Sequence, residues 1–121
     1  MYYDETPETY KVSVLGTEYK VYVDVPQEKD ELLQGCCGYC DKSAKRIAVV
    51  AEPKDSELAN WTYYSKESLR HELIHAFMSE SGIDGNCLWD IAGEEHPEHM
   101  VAWLAIQFPK ILKVFQEVNA L

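Results

Sequence analysis

One pentapeptide limits what this chain can fold into more than any other stretch: His71-Glu72-Leu73-Ile74-His75, within SLRHELIHAFMSESG. On an α-helix, positions i and i+4 lie one above the other on a single face. His71 and His75 can then both direct an imidazole nitrogen at one Zn²⁺. Glu72, next to the first histidine, can reach a water on that ion as a general base. The pattern carries this meaning only on a helix, and its flanks supply one. Ser65 is placed to cap a helix running from about Lys66 to Ser81, and Gly82 falls where a C′ glycine belongs. Leu69, Leu73, Ala76 and Phe77, with Ile74, recur at helical spacing and predict an apolar face.

Upstream of that helix the pattern changes to a period of two. Tyr10 to Leu15 and Tyr19 to Val25 alternate β-branched and aromatic residues with polar ones, and Gly16-Thr17-Glu18 separates them. The pair reads as a β-hairpin closed by Pro26. Gln27 to Gln34 suits a short helix or a polar loop, and GCCGYCDKSAK reads as a loop punctuated by Gly35, Gly38 and Asp41. Arg46 to Ala51 is a short apolar run stopped by Pro53 and reads as a third strand. After Gly82, residues 83–92 read as a loop. A second helix is expected from His96-Pro97, broken or kinked at Pro109, with a terminal amphipathic helix over Ile111 to Val118. Strands followed by helices belong to the α+β class, and 121 residues suit a single domain spanning the whole chain.

Composition narrows the partners. The net charge of −10 repels phosphate backbones, which argues against nucleic acid. No apolar run is long enough for a transmembrane helix, and the first residues lack the basic start and apolar core of a signal peptide. The expected compartment is therefore the cytoplasm, where Cys36, Cys37, Cys40 and Cys87 stay reduced.

A catalytic zinc needs a third protein ligand and keeps a fourth position for water. Downstream acids are Glu80, Asp84, Asp90, Glu94, Glu95 and Glu98. Glu80 falls on the wrong side of the motif helix. Glu94, Glu95 and Glu98 stand where the second helix begins. The gap from His75 favours Glu95, as in thermolysin-like enzymes, whereas a place on a packed helix favours Glu98.

The segment LRHELIHAFMSESGI, a Trp-containing loop and PEHMVAWLAIQFPKILKVFQE, together with GYCD-x-x-x-K-R-I at Gly38 to Ile47, resembles small metallopeptidase-like proteins of phages and prophages. These are minimal zincins related in plan to the ImmA/IrrE-like metallopeptidases. The resemblance implies a zincin-like α+β domain whose zinc ligands are His71, His75 and Glu98 (a gluzincin-type third ligand), with Glu72 as general base. It also implies hydrolysis of a peptide or protein substrate in the bacterial host cytoplasm, the substrate pairing with Arg46 to Ala51 as an edge strand. Where the family often carries further acids, after the ligand glutamate and before the Trp, this chain has His99 and Ala102. The alternative is a catalytically weak zinc-binding protein of the same fold that acts by binding a host or phage protein.

The remaining chemistry-bearing residues have plainer readings. Tyr39, Tyr63 and Tyr64 are candidates for stabilising an oxyanion, although an aromatic near a core is more often packing. His96 and His99 suit capping and surface positions. Cys37-x-x-Cys40 has neither the βαβ setting of a redox motif nor enough companions for a second metal, and reads as a loop with half-buried thiols.

Overall fold

Alternating residues start the sheet. In Tyr10–Val14 (β1) and Thr17–Val25 (β2), Val12, Val14, Tyr19 and Val21 turn inward while Lys11, Ser13, Glu18 and Lys20 face solvent. The computed structural model describes residues 8–83 and 98–121, except for the side chains of residues 98, 99, 101 and 102. The two strands pair antiparallel, and Val14 opposite Thr17 closes the hairpin. The turn is two residues, tighter than the expected Gly16–Glu18 connection, because Leu15 and Gly16 both adopt positive φ (51° and 92°). Toward its end β2 carries an irregularity between Tyr22 and Val25, with Asp24 at φ 54°. Gln27–Lys29 and Glu31–Leu33 form two short 3₁₀ turns, where the sequence suited a helix or loop.

The segment expected to be a loop contains a strand. Gly38–Asp41 (β3) pairs antiparallel with Arg46–Val50 (β4). The Asp41 carboxylate accepts from Ser43 and Ala44 N–H, and Lys45 takes φ 55°, so the chain reverses within a few residues. The sheet order is β1-β2-β4-β3, with β4 parallel to β2. β4 is therefore interior, and all five of its residues are buried. This corrects its expected place at the edge, which β3 occupies.

The two faces of the sheet pack differently. Val12, Val14, Tyr19, Val21, Ile47 and Val49 meet the helices, while Tyr22, Val25, Leu33, Ala48 and Val50 form a smaller cluster behind. Arg46, buried among apolar neighbours, lies 3.9 Å over the Tyr22 ring and donates to the Tyr39 hydroxyl at 3.1 Å. Tyr39 in turn donates to buried Asp30 at 2.6 Å, so the two buried charges are joined through a phenol.

Helix α1 spans Trp61–Glu80 and starts a turn earlier than expected. Asn60, and not Ser65, is the cap: its side-chain oxygen accepts from Tyr63 N–H at 3.1 Å. The extra turn brings Trp61 against the smaller cluster. Leu69, Leu73, Ala76 and Phe77 are buried as expected, whereas Ile74 faces outward and is 38% exposed. Gly82 at φ 81° ends the helix region as its C′ position requires.

Helix α2 spans Glu98–Glu117 and continues through Pro109, where a break or kink and a separate terminal helix were expected. The proline is exposed, and Ile111, Val114 and Phe115 hold the following turns in the core. Packing thus outweighs the missing N–H. No helix among the described residues is long and apolar enough to cross a membrane. Since Pro109 is solvent-facing, Pro109→Ala should restore the lost backbone bond without disturbing packing. We expect a stability gain of about 1–3 kcal/mol in urea unfolding; an unchanged or lower midpoint would show that the core needs the proline geometry.

Candidate metal centre

Helix α1 reaches the sheet through Leu69, Leu73, Ala76 and Phe77, and this fixes where its other residues point. His71 and His75 are exposed on an adjoining side, while Glu72 is only 7% exposed. The two imidazole Nε2 atoms stand 3.2 Å apart, with ring centroids 4.8 Å apart and planes inclined by 67°. Two nitrogens each about 2.0–2.1 Å from one tetrahedral ion would stand about 3.3–3.4 Å apart. The spacing therefore fits a shared ion. Ligand atoms of His71, Glu72 and His75 all lie within 4.8 Å of one another, the only such metal-competent group of three or more among the described residues.

Glu72 is shaped by the edge strand. A Cβ added at Gly38 would sit 2.9 Å from the Ala48 carbonyl oxygen and 3.4 Å from Glu72 Cγ. Backbone without a side chain is what lets β3 pass this close to the carboxylate. Burial pushes the Glu72 carboxyl above its ordinary range, and the nearby His71 and His75 oppose that rise. Such a group is a better proton carrier near neutral pH than a fully solvated carboxylate.

The other sequence candidates separate cleanly. Glu80 accepts from the Tyr19 hydroxyl at 2.7 Å and pairs with Lys45 at 2.8 Å, which together hold its carboxyl below the usual range. It ties α1 to the sheet and is not directed at the histidines. Tyr39 is committed to Asp30 and Arg46, and Tyr63 is 62% exposed. Tyr64 is different: with Cys37, Glu67, Ser68, His71 and Glu72 it lines a cavity of about 190 Å³. The neighbouring Cys37 side chain pushes the Tyr64 hydroxyl's pKa above its ordinary value. Cys36, Cys37 and Cys40 form no disulfide among the described residues, and Cys36 Sγ donates to the Leu32 carbonyl at 2.9 Å.

Glu98 lies on α2, as expected, where the described part of that helix begins; its side chain lies outside the described residues. Asp84, Asp90, Glu94, Glu95 and His96, and the loop and cysteine (Cys87) before them, lie outside the described residues, as does the side chain of His99. The described part of α2 is joined to α1 by Trp103, whose indole N–H donates to Ser81 Oγ at 2.9 Å. The sequence reading missed Gly38 and Cys37 as neighbours of Glu72. Their one signal was the reversal D-K-S-A-K between GYC and RIAVV, which makes a hairpin of the two stretches. No known protein family, curated protein or solved structure matches this chain.

Two outcomes follow from the Glu72–Gly38 contact. Gly38→Ala should lower stability by about 1–3 kcal/mol, because the clashing atom is backbone; equal urea midpoints would show that β3 shifts freely. In the metal-free protein, native Glu72 holds its proton to higher pH than unfolded Glu72 does. Stability therefore falls as pH rises from the ordinary carboxylate pKa through the raised one. Glu72→Gln should consequently be more stable than wild type above that window and equal to it below. Parallel pH–stability curves for the two proteins would contradict the assigned burial.

Proposed function

We propose that the protein is a zinc-dependent peptidase of zincin type, with His71 and His75 as ligands, Glu98 as the third, and Glu72 as general base. The observation that carries the reading is the pair of Nε2 atoms 3.2 Å apart with a buried carboxylate beside them. Two imidazoles and a carboxylate are one of the three-ligand donor sets that hold catalytic zinc. Bound there, zinc would supply Lewis acidity and a more acidic water.

The chain's own groups account for the rest. Glu72 takes a proton from the water as its oxygen adds to the scissile carbonyl carbon. When the carbon–nitrogen bond breaks, Glu72 returns that proton to the leaving amine. Its raised pKa suits both transfers, since it must accept and then release. The substrate backbone pairs with β3, the strand at the sheet edge over Glu72, in place of Arg46 to Ala51. Gly38 keeps that approach open.

Zinc content and peptide hydrolysis are measured on the same protein samples. Glu72→Gln should bind zinc as wild type does and lose on the order of 10²–10⁴-fold in kcat/KM. Equal turnover by both would remove Glu72 from the chemistry and leave a zinc-binding protein. Glu98→Ala should lose zinc while Glu95→Ala retains it; full zinc in the Glu98 variant would refute the ligand assignment.

A further inference from the structure

Two adjoining cavities lie along α1 on the N-terminal side of His71. The cavity that contains His71 and Glu72 shares Cys37 and Tyr64 with a larger cleft of about 360 Å³. The cleft lies among Val50 from β4, Pro53 and Leu58 from the connection after it, and Trp61 at the start of α1. The Trp61 and Tyr64 rings stand 5.3 Å apart and inclined by 52°, giving one wall an aromatic surface. Leu58 is 48% exposed at this site. The carboxylate-bearing Glu57 and Glu67 line the larger and smaller cavities respectively, so acidic side chains are disfavoured in both.

We propose that this cleft is a specificity subsite for one large apolar side chain of the peptide substrate, about three residues C-terminal to the cleaved bond. The proposal rests on the peptidase reading above. Its position follows from two rises. Tyr64 and Trp61 precede His71 by two to three helical turns, roughly 10–15 Å at 1.5 Å per residue. A paired extended peptide covers that distance in about three to four residues at 3.3 Å each. Its direction follows from β3. That strand passes over Glu72 at Gly38, and the chain just before it, at Cys36 and Cys37, lines the cleft. A peptide added antiparallel to β3, the commoner pairing, reaches the cleft with residues that follow the scissile bond.

The test uses the full zinc-loaded chain and a peptide mixture from a tryptic digest of bacterial lysate, with cleavage products sequenced by mass spectrometry. Wild type should enrich Phe, Trp, Leu or Met at one position about three residues after the cut. Leu58→Lys, altered at an exposed position, should lose that enrichment by on the order of ten-fold. Cleavage without such enrichment, or enrichment unchanged in Leu58→Lys, overturns the subsite and leaves the peptidase reading intact. A second arm applies Glu72→Gln and Glu72→Gln/Leu58→Lys to an array of immobilised ten-residue peptides. Binding that favours large apolar residues and depends on Leu58 supports the subsite even if wild type cleaves nothing, in which case only the hydrolytic reading fails. Absence of that preference on the array, together with no cleavage, overturns the subsite as well.

Discussion

A carboxylate held away from water between two histidines is the constraint around which this molecule is arranged. Glu72 is buried beside two exposed histidines, and it stays buried because an edge strand crosses it at a glycine. Burying an unneutralised carboxylate opposes folding, so other contacts must offset it. Leu69, Leu73, Ala76 and Phe77 do so from the same helix. The arrangement follows a common pattern in which a functional group is held at some expense to stability.

The sheet explains how the edge strand reaches that position. β4 is wedged between a parallel and an antiparallel neighbour and buries every residue, which fixes β3 on its far side. Tyr39 on β3 anchors the strand through Asp30 and Arg46, while Asp41 tightens the turn that feeds it back into the sheet. Strand, turn and buried network therefore act together on the placement of Gly38. In the proposed peptidase that placement serves both the base and the incoming backbone.

What was legible in the sequence was what depends on local rules. The HELIH spacing, the C′ glycine and the apolar residues at helical period are all written within a few turns of one another. The α+β order was legible for the same reason. The position of β4 was half legible: an unbroken apolar run signals a strand covered on both sides, which argues against an edge. β3 was obscured because four residues containing a glycine and a cysteine carry little strand propensity, and pairing with β4 supplies what propensity lacks. Ser65 and Asn60 are equally good caps locally; the contact of Trp61 with the smaller core cluster decides between them. Pro109 misled because core contacts after it compensate for its missing donor. A third ligand for the proposed zinc cannot be read by such rules, since its position depends on how separate elements pack.

The 3.2 Å approach of the two imidazoles has a consequence for metal exchange. Their separation is set by one turn of a helix that is already packed, so ordering the ligand pair is a cost of folding and not of metal capture. Zinc-finger modules work the other way, gaining their structure from the ion. At the proposed zinc site, loading and stripping of the ion would then be separable from the folding of the chain.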